Sequence, residues 1–428
     1  MSETTDTAKN KTFPHELLVL LVLAGLQFTH IVDFMIMMPL GPKLMRAMNI
    51  NSHDFGALVS VYTFTAGLTN LFGAFLLDRF DRKKSTLFLF AGFILGTLAC
   101  GLATNYVTLF ASRSLAGAFG GLINAAVLAI VGDYIPYHRR ARAMGIIMAS
   151  FSVASIAGVP LGLWLANQYD WHAPFFFVVA AALIFWSTFA YLIPPLTRHL
   201  RKDRPHASLG ESFTQIGEIL KQSGPQRALA LIATMMLSQF ALIPFLTAFY
   251  VFNVKFPEAQ IPLFYLVGGA CTVVSSPLVG RLADKYGRTK IFKIFMCLMV
   301  VPILALTNLK AGTAVWLVLA TSSLFFVASN GRFVPAMTMI TSVVPTERRG
   351  MFMSLTSCVQ QVFAGIAAYW GGVVISETAT GELVGFDTVG LIAVVINFAA
   401  LALGLGLEQR ALRDPSETGV EVEPVVGA

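Results

Sequence analysis

Twelve apolar segments dominate the chain, and each is about as long as a helix that crosses a lipid bilayer. Such a helix needs about 20 consecutive, mostly apolar residues. The segments cover residues 17–40, 56–77, 86–104, 106–134, 143–167, 173–194, 227–252, 261–283, 291–309, 314–342, 352–376 and 386–407. None shows the short alternation of apolar and polar residues that is typical of a membrane β-barrel strand. The sequence therefore predicts an all-α membrane protein with twelve transmembrane helices.

The proportion of charged residues excludes an ordinary soluble protein. Only 12% of the residues are charged and 56% are hydrophobic, whereas a soluble domain carries about 25% charged residues. The chain begins with a polar stretch, and the apolar segment after it is long enough to be retained as a helix instead of being cleaved as a signal peptide. The cysteines lie inside apolar segments and form no cluster with histidine, which indicates neither a disulfide framework nor a metal site.

Lysine and arginine residues are distributed unequally between the two sides of the predicted membrane. The loops on the side of the N-terminus carry 19 of them and the opposite loops carry four. Because positive residues accumulate in cytoplasmic loops, both termini are predicted to be cytoplasmic. We expect the protein to lie in the plasma membrane, which is the inner membrane in a bacterium. The same bias explains the net charge of +7, so the basic character does not indicate nucleic-acid binding.

A polar stretch at residues 195–226 divides the chain into two halves of six predicted helices each. The predicted organisation is a cytoplasmic N-terminus, a six-helix bundle, a cytoplasmic linker, a second six-helix bundle and a cytoplasmic tail. Their respective ranges are 1–16, 17–194, 195–226, 227–408 and 409–428.

A short charged loop occurs once in each half. GAFLLDRFDRKK at 73–84 and GRLADKYGRTK at 280–290 each follow the second helix of a half, and their aspartates Asp78 and Asp284 lie 206 residues apart. Two further similar loops, at 136–145 and 345–354, lie 209 residues apart after the fourth helices. Two repeats at nearly one offset indicate duplication, which is typical of secondary transporters with a substrate site between the halves near the membrane midplane.

The repeated loop resembles the signature of the major facilitator superfamily, G-x-L-a-D-r-x-G-r-k. The second copy matches it at Gly280, Leu282, Asp284, Lys285, Gly287 and Arg288. The first copy matches at Asp78, Arg79, Arg82 and Lys83, and carries Ala74 and Asp81 in place of the glycines. The resemblance covers the whole chain and implies the fold of that family, with two pseudo-symmetric six-helix halves. It further implies similarity to its twelve-helix group of drug or sugar efflux proteins that exchange substrate for protons.

The resemblance implies a conformational latch at both loops. In the family, this aspartate lies near the N-terminal, partly positive end of a neighbouring helix and near arginines, where it holds the outward-open state together. We therefore assign the latch to the following charged and glycine residues of the two copies: Asp78, Arg79, Arg82, Gly280, Asp284, Lys285, Gly287 and Arg288. The alternative is that these charges only fix the topology.

Few ionisable residues lie inside the predicted spans, where they are costly and usually functional. His30 and Asp33 lie in the first span, Arg113 in the fourth and Arg332 in the tenth. At 1.5 Å per residue, Asp33 and Arg113 lie at similar depth in the outer half of the membrane, so an ion pair is expected. His30 lies three residues before Asp33 and shares its helix face.

The motif R-x-x-x-G at Arg113 and Gly117 resembles that of proton-coupled members of the family, which implies a role for this pair in proton coupling. Burial favours a neutral Asp33, whereas the nearby guanidinium favours the carboxylate. A change in their separation would therefore drive proton uptake and release. The alternative is a static salt bridge between two helices. His30 is either a second titrating group or a histidine hydrogen-bonded in place.

Several polar residues in the spans are candidates for a substrate cavity. Arg332 and the glutamines Gln360 and Gln361 of the eleventh span lie at comparable depth, so they could approach one another. Arg332 would then either bind an anionic substrate group or be neutralised by neighbouring dipoles. Asn124 and Asn330 are further polar candidates.

The fifth predicted span contains small residues and a proline, in GIIMASFSVASIAGVPLG. Small residues allow helices to approach closely and proline bends a helix, so Gly158, Pro160 and Gly162 are predicted to form a hinge. The GVPLG sequence resembles the fifth-helix signature of exporters in the family, which implies export. Simple packing of small residues is the alternative.

These features predict a secondary active transporter that exports a small amphipathic molecule, either drug-like or a sugar, in exchange for protons by alternating access. An importer or uniporter of a sugar or organic metabolite is the alternative. A transporter-like sensor and a membrane enzyme have no supporting motif, and no phosphate-binding loop for ATP is present. We expect a monomer in the lipid bilayer that binds substrate and protons, with no cofactor and no metal.

Overall fold

The computed structural model describes residues 13–77, 79–197, 209–345 and 348–413. These residues form helices α1 to α18 and one short hairpin. The helices of the N-terminal part are α1 Phe13–Ile36, α2 Gly41–Met48, α3 Ser52–Leu77, α4 Arg82–Gly101, α5 Tyr106–Gly120, α6 Ile123–Tyr134, α7 Tyr137–Val153, α8 Val159–Gln168 and α9 Ala173–Leu192. The later helices are α10 Leu209–Lys221, α11 Ser223–Phe240, α12 Ile243–Phe252, α13 Ile261–Tyr286, α14 Arg288–Leu298, α15 Val300–Thr307, α16 Val315–Thr341, α17 Arg349–Val374 and α18 Phe386–Arg413.

Eleven helical stretches among the described residues are long and apolar enough to cross a membrane. They correspond to eleven of the twelve predicted spans, and the all-α fold class is confirmed. The remaining predicted span, 56–77, is also helical, as part of the 26-residue helix α3. This helix carries the polar residues Thr63, Thr69 and Asn70 in its middle part.

Some predicted spans consist of two helices in succession. The fourth span breaks between α5 and α6, and the seventh breaks between α11 and α12. Pro244 is the second residue of α12, a position where its missing N–H is tolerated because the first turn of a helix has unpaired N–H groups. The described part of the linker includes helix α10.

A single turn of π-helix, Ala154–Gly158, joins α7 to α8 within the fifth span. The N–H of Val159 donates to the carbonyl oxygen of Ala154, five residues earlier. Pro160 follows directly and cannot donate a backbone hydrogen bond. The wide turn therefore lies where proline interrupts the regular helical ladder, which is a common origin of π-bulges and kinks.

The described helices group into two compact units. The first comprises Met1–Met37 and Phe72–His206, and the second comprises Met38–Leu71 and Ala207–Ala428. The units therefore differ from the predicted six-helix halves, because residues 38–71 group with the C-terminal part of the chain. The core of the first unit is built from α1, α4, α6, α7 and α9. The core of the second is built from α10, α11, α14, α16, α17 and α18.

One end of the second unit carries a network of charged loops. Ser376–Glu377 pairs antiparallel with Leu383–Val384, and the carboxylate of Glu377 accepts hydrogen bonds from the backbone N–H and hydroxyl of Ser52, both at 2.6 Å. Glu258 forms ion pairs with Arg46 and Lys43. These contacts join the start of α3 and the short helix α2 to loops that follow them by more than 200 residues in the sequence.

Candidate functional site

Asp33 and Arg113 form a buried ion pair inside the first unit. The Nη1 atom of Arg113 lies 3.0 Å from Oδ2 of Asp33, and the two side chains are 1% and 0% exposed. The pairing expected from their depths is therefore present. Because both charges are removed from water, their mutual attraction has to offset a large desolvation cost.

The same carboxylate has a second hydrogen-bond donor. The hydroxyl of Thr97 on α4 donates to Oδ1 of Asp33 at 3.2 Å. Cys100, one turn further along α4, is fully buried beside the guanidinium of Arg113. The two oxygens of Asp33 thus contact different helices, one through a charged donor and one through a neutral donor.

Close packing of α4 against α5 places Arg113 at this position. A Cβ atom at Gly96 would lie 2.6 Å from the backbone nitrogen of Ala116, so only glycine allows this approach of the two helices. Arg113 lies one turn before Ala116 on α5. The start of α5 is fixed by a capping box, in which Asn105 and Thr108 exchange hydrogen bonds.

His30 lies near the pair but does not join it. Its imidazole packs edge-on against Phe93 of α4, with ring centroids 5.8 Å apart, and neither ring nitrogen has a hydrogen-bond partner among the described residues. One turn earlier on α1, the amide of Gln27 donates to Oδ1 of Asn124 on α6 at 3.2 Å. Gln27, His30 and Asp33 therefore place three polar side chains at three-residue intervals along α1.

Arg332 is fully buried in the second unit. Its Nη1 atom donates to Oδ1 of Asn397 on α18 at 2.7 Å, and its Nη2 atom donates to Oε1 of Gln239 on α11 at 3.3 Å. Among the described residues, its hydrogen-bond partners do not include Gln360 or Gln361.

The other candidates for the substrate cavity have separate partners. Gln360 donates to the sulfur of Met337, and Asn330 donates to the hydroxyl of Ser276 on α13. Gln361 lies against Gly67 of α3. The structure therefore does not bring these residues to Arg332, although Asn330 is close to it in sequence.

The first copy of the repeated loop is closed by a helix cap. Asp81, where the family signature has glycine, accepts hydrogen bonds from the backbone N–H groups of Lys83 at 2.8 Å and Leu196 at 3.0 Å. Arg82 forms an ion pair with Asp133 of α6 at 3.1 Å. Arg79 is exposed, and Asp78 lies outside the described residues.

The second copy has a different backbone conformation. Gly287 has a φ of 92°, a conformation that residues with a Cβ rarely adopt, and it separates α13 from α14. Asp284 is exposed and has no hydrogen bond or ion pair with any described residue. The ammonium groups of Lys285 and Lys290 lie over the ring of Tyr286. No engaged latch is therefore present at this copy in the described chain.

The two glycines of the predicted hinge lie against α1. A Cβ atom at Gly158 would overlap the side chain of Val32, and one at Gly162 would lie 2.8 Å from Cδ1 of Ile36. These glycines thus let the fifth span approach the helix that carries Asp33. The π-turn described above lies at the same level, so the sequence motif coincides with an irregular backbone.

The sequence-based candidates do not include four polar residues of these clusters: Gln27, Thr97, Gln239 and Asn397. Each is an isolated polar residue in an apolar run, which is a usable but weak signal. Among the described residues, no group of three or more His, Cys, Asp or Glu side chains could hold a metal ion.

Comparison with known proteins identifies the family. The family model described as Major Facilitator Superfamily matches residues 23–368 and 228–425. Multidrug resistance protein 2 of Bacillus subtilis is 26% identical over 353 residues, which cover 81% of this chain and 86% of that protein. A probable sugar efflux transporter of Helicobacter pylori is 24% identical over 350 residues, with coverage of 81% and 86%.

Solved structures have the same fold. The crystal structure of a bacterial homologue of the human lysosomal transporter Spinster superposes with a TM-score of 0.72 at 15% identity, covering 94% of this chain and 98% of that chain. Together with the apolar helices, these matches show a multi-pass membrane protein that acts as a transporter and not as an enzyme. The chain belongs to the major facilitator superfamily.

Proposed function

We propose that the protein exports a small amphipathic molecule in exchange for protons, with Asp33 as the residue that carries the proton. The observation that carries this proposal is the buried Asp33–Arg113 ion pair. It joins two membrane-spanning helices, where an ionisable residue is expensive to keep unless it has a function.

The geometry supplies a simple means of coupling. While the guanidinium lies 3.0 Å away, the carboxylate is stabilised in its charged form. If the two helices separate during transport, the carboxylate loses its counter-charge in an apolar site and binding of a proton becomes favourable. Arg113 cannot lose its own charge in a protein, so Asp33 is the member of the pair that titrates.

His30 is proposed as a second proton-binding group. Its two ring nitrogens have no partner among the described residues, so the imidazole is available for a proton or for a hydrogen bond to substrate. Neutral histidine has one donor and one acceptor nitrogen. The pair Gln27–Asn124, one turn away along α1, adds polar groups to the same side of this helix.

The remaining assignments belong to the same proposal. Gly158, Pro160 and Gly162 form a hinge beside α1, and the repeated charged loops act as latches on the cytoplasmic side, with both termini in the cytoplasm. The unpaired state of Asp284 among the described residues is then the released state of its latch. The protein acts as a monomer in the bacterial inner membrane.

The names of related proteins support export. Multidrug resistance protein 2 and the probable sugar efflux transporter both match about four-fifths of the chain. Multidrug resistance protein MdtG of Serratia proteamaculans is a further relative. An importer or uniporter of a sugar or organic metabolite is the alternative that the experiment below separates from export.

The test uses inverted membrane vesicles with an imposed proton gradient and a pH-reporting dye. Lipophilic cations, sugars and organic acids are added in turn to vesicles that contain wild type, Asp33→Asn or Asp387→Asn. Asp387 is an exposed aspartate in the first turn of α18, so its amide variant is a matched control for the loss of one carboxylate.

We expect at least one compound to dissipate the gradient with wild type and with Asp387→Asn, but not with Asp33→Asn. Equal proton movement with Asp33→Asn and wild type would make the ion pair structural. Transport of a compound without any proton movement would favour a uniporter.

A further inference from the structure

The second unit contains a buried positive charge without a carboxylate partner. Arg332 is fully buried, and its two hydrogen-bonded partners, Asn397 and Gln239, are neutral amides. No described residue forms an ion pair with it. The guanidinium remains charged at any ordinary pH, so this cluster carries a net positive charge within an apolar bundle.

Two hydrogen-bond donors of the cluster also lack an acceptor among the described residues. They are Nε of Arg332 and the hydroxyl of Ser329, and both atoms are buried. Ser329 lies one turn before Arg332 on α16, so the two side chains share a helix face. A buried donor without a partner costs about 1–3 kcal/mol, and native proteins rarely keep two such donors side by side without a reason.

The amide of Asn397 is fixed in an orientation that holds the guanidinium of Arg332 in place. Nδ2 of Asn397 donates to the carbonyl oxygen of Met296 on α14 at 2.8 Å, which fixes the amide so that its oxygen points to the guanidinium. Four helices, α11, α14, α16 and α18, therefore contribute to one preorganised cluster. Three of these helices, α11, α14 and α16, supply methionine and phenylalanine side chains to the apolar core of the unit, and α18 supplies leucines.

Among the acidic residues of the unit whose side chains are described, none is placed to balance this charge. The carboxylates whose side chains are described lie in loops or near helix ends, at Asp54, Glu218, Glu258, Asp284, Glu377, Glu382 and Asp387. In the first unit, by contrast, Arg113 has the carboxylate of Asp33 at 3.0 Å. A buried charge is normally paired, because an uncompensated one is strongly destabilising.

We propose that the transported molecule supplies the missing negative charge, and that Arg332 and Ser329 bind its carboxylate. A guanidinium and a neighbouring hydroxyl match the two oxygens of a carboxylate. A monoanion balances the single charge of the cluster, whereas a doubly charged phosphate would leave an excess. The substrate is then an amphipathic monocarboxylate, whose hydrocarbon part packs among the apolar side chains of the unit.

This inference rests on the proposed transport function, since Arg332 is fully buried in this structure and a ligand reaches it only when the helices move. It narrows the substrate from amphipathic molecules in general to organic anions. It does not depend on Asp33, so binding can be tested without a proton gradient.

The test measures the thermal unfolding of the purified full chain in detergent at constant ionic strength. Benzoate and hexanoate are compared with their neutral counterparts benzamide and hexanamide, and with chloride. We expect saturating carboxylate to raise the unfolding temperature of wild type by at least about 2 °C, because a ligand that binds only the folded state stabilises it. The amides and chloride should have no such effect.

Variants identify the site. Arg332→Gln should abolish the carboxylate-specific shift, and exposed Arg281→Gln should keep it. If Arg332→Gln does not fold, Ser329→Ala still tests the site, with an expected loss of about fivefold in affinity from one hydrogen bond. An equal shift in wild type and in these variants would overturn the proposal.

The remaining outcomes are equally decisive. No shift with either carboxylate in wild type would mean that the amides alone hold the charge, and the inference fails. Stabilisation by chloride as strong as by carboxylate would indicate an inorganic anion site. If the carboxylates do not bind but Asp33→Asn abolishes proton exchange in vesicles, the proposed function stands and only the substrate class is wrong. If the carboxylates bind but no proton exchange occurs in vesicles, the carboxylate site stands and the proposed proton coupling is wrong.

Discussion

Replacing Arg113 by glutamine should leave the carboxylate of Asp33 buried without its counter-charge. The two charged groups lie 3.0 Å apart and are almost fully buried. At that separation, with an effective dielectric constant of about 20, their attraction is about 5 kcal/mol. Part of this attraction offsets the desolvation of both groups, so removal of one partner of such a pair costs about 3–5 kcal/mol.

The reciprocal variant is expected to be the less stable of the two. In Asp33→Asn, the guanidinium of Arg113 keeps its charge, whereas in Arg113→Gln the carboxyl of Asp33 can become neutral by binding a proton. The double variant has neither charge and should be more stable than Asp33→Asn alone. Unfolding in mixed detergent micelles, followed by tryptophan fluorescence, gives the free energies for this double-mutant cycle.

The coupling energy between Asp33 and Arg113 measures how strongly the two side chains stabilise each other. We expect about 3 kcal/mol, near the upper end of the range for contacting residues. The partly exposed pair Arg82–Asp133, with a similar separation of 3.1 Å, is a matched control and should give less than about 1 kcal/mol. Equal coupling energies in the two pairs would refute the view that burial makes the Asp33–Arg113 pair special.

Three further predictions follow from backbone geometry and close packing. Gly287→Ala should cost about 1–3 kcal/mol in unfolding free energy because φ is 92°, while Gly280→Ala, which has open space inside α13, should not destabilise. Gly158→Ala should lower transport in vesicles because its methyl group would overlap a side chain of α1, whereas Gly145→Ala has no neighbour within 4 Å and should transport normally. Glu377→Gln should lower the unfolding temperature, equivalent to a loss of about 1 kcal/mol, because it weakens a charged cap at the start of α3. Unchanged stability of Gly287→Ala or Glu377→Gln, or unchanged transport by Gly158→Ala, would contradict the geometry on which that prediction rests.

Much of the fold follows from the lengths of the apolar segments. Spans of about 20 apolar residues can only be helices in a bilayer, and all the predicted spans are helical. The interruptions inside them were not predicted. The break between α5 and α6 falls at the pair Gly120 and Gly121. Such a pair is a breaker signal, but a hydropathy pattern does not register it inside an apolar span. The grouping of residues 38–71 with the C-terminal part of the chain also depends on tertiary packing, which a hydropathy pattern does not contain.

The sequence predicted how deep the residues of the candidate site lie in the membrane. It did not predict which neighbouring helix each side chain faces. Counting residues along two spans placed Asp33 and Arg113 at one level, and they form a pair. The same counting placed Arg332 level with Gln360, yet its hydrogen bonds are to Gln239 and Asn397. Depth does not specify which face of a helix meets which neighbour. That choice depends on close contacts made by small residues, and such contacts become visible only in the folded chain.

The hydrogen bonds of Arg332 also set an order of events during synthesis. Gln239 precedes Arg332 by 93 residues and Asn397 follows it by 65. When α16 leaves the ribosome and enters the membrane, one amide partner is already in place and the other has not been made. A central arginine adds about 2.5–3.5 kcal/mol to the free energy of inserting a helix. Helix α16 therefore enters the bilayer when Arg332 has only one of its two amide partners. Arg332 has both of its amide partners only after α18 arrives, so α18 is the helix that completes this cluster.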